Sequence, residues 1–172
     1  MHRGTFILTN RGREDDHRAM GAFDATDLKL LRALQAEPGL SVARLGERIG
    51  LSHTPCWRRL KRLEAEGVVR RRELVLDAEA LGLHVTAFCF IRVRQHDKAT
   101  MESFEAAARA HPNVLQCHTT SGEQDYVLRV VAASIAAYER LVKDDLLALP
   151  SVALMQSSFA LREIKDSRTL PI

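Results

Sequence analysis

Cys56, Leu60 and Leu63 fall at i, i+4 and i+7, the spacing at which three side chains share one stripe of an α-helix. At about 100° per residue, burying that stripe turns Thr54, Arg58 and Lys61 to the opposite side, with Trp57 on one flank and Arg59 and Arg62 on the other. The outward chemistry is then hydrogen-bond donation by cations to an anionic, acceptor-rich partner. A helix of this kind fits the major groove of double-stranded DNA, where an arginine bidentate to guanine gives about 1–3 kcal/mol of discrimination. Ser52 at the helix start and His53, Thr54, Trp57 and Arg58 in its amino-terminal half are the candidates nearest base edges. Lys61, Arg62, Arg44 and Arg48 suit phosphates, which position a protein without specifying a sequence. Taken alone, the run Trp57-Arg58-Arg59-Leu60-Lys61-Arg62 fits a solvated helix face equally well, so the elements around it have to decide.

Those elements form a recognisable order. Asp24 or Thr26 caps a first helix carrying Leu30, Leu31 and Leu34 on one face, which ends near Glu37 because Pro38 and Gly39 follow. Ser41 caps a second, short helix with Val42, Leu45 and Ile49 inward and Arg44, Glu47 and Arg48 in water; Gly50 closes it. After Gly50-Leu51-Ser52, a third helix starts with Ser52 as cap and Pro55 in its first turn, where the missing N–H removes a donor that had no partner, and Gly67 stops it. Three short helices with a tight turn between the second and third make a helix-turn-helix. Val68 to Leu76 reads as extended, either a wing or a linking strand, and contains the further cations Arg70-Arg71-Arg72.

From Asp77 the pattern changes to strands at 84–93, 114–120, 126–131 and 152–162 with helices at 100–110 and 134–149. This is the βαββαβ order of a ferredoxin-like sandwich, which makes the fold class α+β. Met101, Phe104 and Ala108 of one helix and Ile135, Tyr138, Leu141, Val142 and Leu149 of the other are expected to cover one sheet face. In the first strand Val85, Ala87, Cys89, Ile91 and Val93 make one apolar face, while Phe88 and Phe90 make the other apolar as well. Two buried faces need two covers, and the simplest second cover is the same sheet of another subunit in a two-fold homodimer.

The composition sets wider bounds. Of 172 residues, 46% are hydrophobic and 27% charged, enough apolar material for real cores. The net charge is zero over residues 1–43, +5 over 44–73 and −2 over 77–172, so one local surface is suited to an anionic partner. No apolar stretch approaches the roughly 20 residues that span a bilayer, and Phe6 to Leu8 is too brief for a signal peptide, so a cytoplasmic protein without membrane contact is expected. Residues 1–22 read as a mobile tail, with Met20 an alternative start; 23–69 as the helix-turn-helix domain; 70–83 as a linker or strand; and 84–172 as the ferredoxin-like domain. Cys56, Cys89 and Cys117 are read as reduced core thiols, and neither a Cys-x-x-Cys nor a His-x-x-x-His pair provides metal-ligand spacing. No nucleophile–base pair, phosphate-binding glycine motif or paired carboxylates point to catalysis, and no cofactor is expected.

The segment from Gly50 to Leu60, followed by Leu63-Glu64-Ala65-Glu66-Gly67-Val68-Val69, resembles the recognition helix of Lrp/AsnC (leucine-responsive) transcriptional regulators, as does the opening Asp24-Ala25-Thr26-Asp27. Thr120 to Leu128 looks like that family's loop and third strand, and Phe159 to Lys165 is similar to its last strand. Because the resemblance runs from about Phe23 to Ile172 with motifs in both domains, it implies a regulator that binds DNA as dimers able to assemble into octamers, and that responds to a small effector, usually an amino acid, bound in clefts between dimers. The family's effector loop maps onto Ser121, Gly122, Gln124 and Asp125, with His118, Ser158 and Phe159 as neighbours. Asp125 can accept hydrogen bonds from an ammonium and Gly122 can let the backbone approach a ligand, or else the loop is a plain turn in which Asp125 bonds local backbone. Gln124 stands where the family often has an aromatic, and Arg71-Arg72 where it often has Gly-Tyr. Two other functions fit the same frame: an enzyme resembling the siroheme decarboxylases, which use histidine around a tetrapyrrole, and an amino-acid sensor without DNA binding. The scattered histidines and the +5 segment weigh against them.

Overall fold

The computed structural model describes residues 23–71 and 73–172; the expected tail at 1–22 and Arg72 lie outside the described residues. The chain divides into two units, one running to Leu74 and including Ser167–Ile172, the other Val75–Asp166. Residues 167–172 therefore group with the helical unit and not with the ferredoxin-like one, because side chains of the first helix hold their backbone.

In the helical unit, α1 (Ala25–Ala36), α2 (Val42–Ile49) and α3 (His53–Ala65) start where the local signals place them. Asp24, not Thr26, caps α1: its carboxylate accepts the Asp27 N–H at 2.8 Å, while the Asp27 carboxylate accepts the Asp24 N–H at 3.2 Å. Ser41 caps α2 and Gly50 closes it in the left-handed conformation, at φ 75°. Ser52 occupies the cap position of α3, but its side chain makes no capping bond, so that part of the expectation fails.

Leu30, Leu31, Leu34, Leu45, Cys56, Leu60 and Leu63 form the core of this unit. Gly46 sets the approach of α2 to the turn before α3: a Cβ there would stand 2.6 Å from the Leu51 carbonyl oxygen and 3.5 Å from Cys56 Cβ. The Leu51 N–H donates to the Gly46 carbonyl at 2.9 Å, so the backbone cannot back away without losing that bond. Gly46→Ala should therefore destabilise the helical unit by about 1–3 kcal/mol, the usual cost of overpacking. A thermal melt followed by helical circular dichroism checks it, and an unchanged midpoint would mean that the turn is slack.

No strand forms among the described residues between Val68 and Leu76; Leu74, Val75 and Leu76 are exposed, and no described strand lies beside them. The second unit has β1 (Val85–Val93), α4 (Lys98–Ala110), β2 (Val114–Thr119), β3 (Tyr126–Ala132), α5 (Ile135–Leu141) and β4 (Val152–Phe159). The sheet is antiparallel throughout in the order β2-β3-β1-β4, and both helices lie on one face of it. Ala87, Cys89, Ile91, Leu128 and Val130 from the sheet meet Phe104, Ala108, Tyr138 and Leu141 from the helices.

Three details differ from expectation. The last helix is short: α5 passes into a wider π-type turn at Val142–Leu146, which buries Leu146, while Ile135 at the other end of α5 is half exposed and does not cover the sheet as expected. β4 stops at Phe159, three residues early, and Leu161 beyond it is fully exposed. Cys56 and Cys89 are core thiols, but Cys117 is exposed because it sits on the edge strand β2.

Candidate nucleic-acid interface and ligand loop

The Cys56-Leu60-Leu63 stripe is buried, and Ser52, His53, Thr54, Trp57, Arg58, Lys61 and Arg62 are exposed, as are Arg44 and Arg48 on α2. What each cation touches separates them. Lys61 pairs with Glu64 at 2.8 Å, Arg44 with Glu47 at 3.3 Å, and Arg48 with Glu37. Such solvated pairs are worth at most about 1 kcal/mol and exchange readily for phosphate. Arg58 pairs with no carboxylate among the described residues, which leaves its guanidinium fork open at the centre of the outward face. Trp57, 46% exposed beside it, offers the only large apolar surface on that face of α3.

Arg59 and Arg62 behave differently. Asp27, 1% exposed at the foot of α1, accepts Arg59 Nη1 at 2.7 Å on one oxygen and Arg62 Nη2 on the other, while Arg59 also reaches Asp24 at 2.6 Å. Hydrogen bonds from the Asp27 N–H and from Arg59 hold the Asp24 carboxyl below the ordinary carboxylate range. This cluster ties α3 to α1 along the flank, so Arg62 is first of all a positioning group, with the rest of its side chain left open to solvent. Complementary i, i+3 pairs, acidic at 24 and 27 and basic at 59 and 62, were the sequence signal for it.

The loop between β2 and β3 is anchored at both ends. The Thr120 N–H donates to the Asp125 carbonyl at 2.9 Å, Thr120 Oγ1 to the Gln124 carbonyl at 2.6 Å, and Arg92 to the Glu123 carbonyl at 2.9 and 3.2 Å. Asp125 accepts the Val93 N–H at 2.8 Å and lies 2.7 Å from His96 Nε2. Burial pushes its carboxyl up, but the His96 and Val93 bonds and the charges of His96 and Arg92 outweigh that and hold it below the ordinary range. Asp125 is thus bonded within its own surroundings. Gly122 adopts φ 150°, a conformation nearly confined to glycine, although open space surrounds its missing Cβ. Gln124 Oε1 is buried and without a hydrogen-bond partner among the described residues.

Ser121 is exposed at the loop tip, and His118 is exposed on β2 opposite Val127, on the rim of a groove of about 540 Å³ between α4 and β2. Ser158 and Phe159 are on β4, at the other edge of the sheet. Three interstrand spacings, about 14 Å, separate β2 from β4, so one protomer does not gather these residues with the loop. The Phe159 ring instead stacks edge-on against Tyr138 at 5.0 Å.

Residues 86–170 match the model of the Lrp/AsnC ligand-binding domain and residues 23–70 that of a winged helix-turn-helix DNA-binding domain. The leucine-responsive regulatory protein of Rhizobium meliloti is 35% identical over 84% of this chain and 92% of its own length. The chain belongs to the Lrp/AsnC family of DNA-binding transcriptional regulators. The DNA-binding transcriptional activator DecR of Escherichia coli is 38% identical over 87% of this chain and 98% of its own. A family fold solved as a Neisseria meningitidis regulator in complex with L-Met is 40% identical, with a TM-score of 0.82 over 87% of this chain and 96% of that one. Among the described residues no helix is long and apolar enough to cross a membrane.

Proposed function

We propose that this chain is a cytoplasmic, non-enzymatic regulator that reads double-stranded DNA with α3, acts as a homodimer able to assemble further into octamers, and responds to an amino acid bound at the 120–125 loop. The carrying observation is the outward face opposite buried Cys56, where Arg58 stands without a carboxylate among the described residues and Thr54, Trp57 and Lys61 surround it. His53 and Ser52 lie at the entering end of the helix, and Arg44, Arg48, Lys61 and Arg62 supply phosphate contacts.

The amino-acid reading is supported by relatives named for leucine or solved with L-Met, and by Gln124 Oε1, a buried acceptor without a partner among the described residues and suited to an ammonium or amide donor. His118, Ser121 and Gly122 complete the ligand side of the loop, and Asp125 fixes its shape. Ser158 and Phe159 enter this site only if a second protomer brings β4 to it.

Binding to DNA from upstream of the protein's own gene, measured by fluorescence anisotropy with a panel of L-amino acids, tests the whole reading. Arg58→Ala should weaken binding to the preferred duplex by roughly 5- to 150-fold, the equivalent of about 1–3 kcal/mol, with no loss of thermal stability. Unchanged affinity, or a melting point that falls with it, would remove Arg58 from the interface.

A further inference from the structure

Residues 167–172 are held on the DNA-binding unit by side chains of α1. The Gln35 carboxamide grips Leu170 as a neighbouring strand would, accepting its N–H at 2.6 Å and donating to its carbonyl at 3.2 Å. Arg32 Nε donates to the Ile172 carbonyl at 2.7 Å, and the Ile172 side chain packs on the Leu30–Leu34 core. This clasp brings Arg168 to Glu73, whose other oxygen pairs with Arg71. Two guanidiniums, on side chains 62% and 73% exposed, thus share one carboxylate, and the exposed Arg70, next to Arg71 in the chain, pairs with no carboxylate among the described residues. The group carries a net charge of +2.

Its place follows from the end of α3. The Val68 and Val69 N–H groups both donate to the Leu63 carbonyl, so Arg70 and Arg71 follow directly from the carboxy-terminal end of the recognition helix. That helix has 13 residues, a length of roughly 20 Å, against a major groove about 12 Å wide. Entering by its amino-terminal half, it leaves its far end at the groove's lip, where the phosphates are.

We propose that residues 167–172 strap Arg168 to this unit so that Arg168, Arg71 and Arg70 form a second patch that grips the DNA phosphate backbone. This rests on α3 being the reading helix. Glu73 gathers the two guanidiniums before DNA arrives and yields them to phosphate when it does, since exposed ion pairs hold them only weakly. The contact is independent of sequence.

The full-length chain is titrated over a salt series with the preferred duplex and with an unrelated one. Arg168→Ala should make the plot of log affinity against log salt shallower by about 1, one phosphate contact, and weaken both duplexes by the same factor. Glu73→Gln should tighten both, most at low salt. Gln35→Ala, which opens the clasp, should move in the direction of Arg168→Ala and speed amide exchange at Leu170. A wild-type slope in Arg168→Ala, or a loss confined to the preferred duplex, overturns the proposal while leaving the regulator reading intact; wild-type protein that binds neither duplex overturns both.

Discussion

Asp27→Ala is expected to lower the stability of the DNA-binding unit by about 3–5 kcal/mol, the range for stripping one partner from a buried ion pair. The estimate belongs near the lower end, because Arg59 and Arg62 are partly exposed and water can recover them. Three contacts disappear together: both arginine bonds and the half of the capping box that Asp27 gives to the Asp24 N–H. Small domains hold only about 5–15 kcal/mol in total, so the variant should unfold at markedly lower denaturant. Trp57 is the single tryptophan and lies in α3, which makes its fluorescence a reporter for this unit alone. DNA affinity should fall with it, since α3 loses the clamp that orients it on α1. Asp27→Asn keeps the shape and the cap but not the charge, and should fall between the two. If the Trp57 transition in Asp27→Ala coincides with wild type, the cluster does not hold the helices together.

The parts of the structure that were legible beforehand are those written in local chemistry. Asp24, Ser41, Gly50 and the 56-60-63 stripe each act within a turn or two of themselves, so helix starts and buried faces could be read one segment at a time. What could not be read depends on distant partners. The helical stripe shows Arg62 turned outward but not that Asp27, 35 residues away, holds it. That His118 and Ser158 stand at opposite edges of one protomer's sheet follows only from the order β2-β3-β1-β4. Gly122 has a φ of 150°, a demand of the turn itself that its place in the sequence does not show. Residues 167–172 carry no helical or alternating pattern; only their hydrogen bonds to Arg32 and Gln35 reveal where they belong.

Phe88→Asp and Leu154→Asp, made separately, are expected to convert a dimer into a monomer without harming the protomer's own fold. Both side chains lie on the sheet face away from α4 and α5, opposite Ser158 and Arg92 on neighbouring strands, and in the single chain they are 39% and 51% exposed. For a chain that works alone, charging such positions is nearly neutral, within about 0.5 kcal/mol. For a chain whose sheet packs on its twin, each substitution appears twice across the two-fold axis and buries unpaired carboxylates in an apolar contact. That should weaken dimerisation by about 100-fold or more, the equivalent of roughly 3 kcal/mol. Light scattering over a concentration series, alongside a thermal melt at high dilution, separates the two cases. Phe90, more buried within the protomer, is the wrong choice because its loss would confuse folding with association. If Phe88→Asp and Leu154→Asp associate like wild type, the apolar outer face is not where two copies meet, and β4 of a partner cannot reach the 120–125 loop by that route.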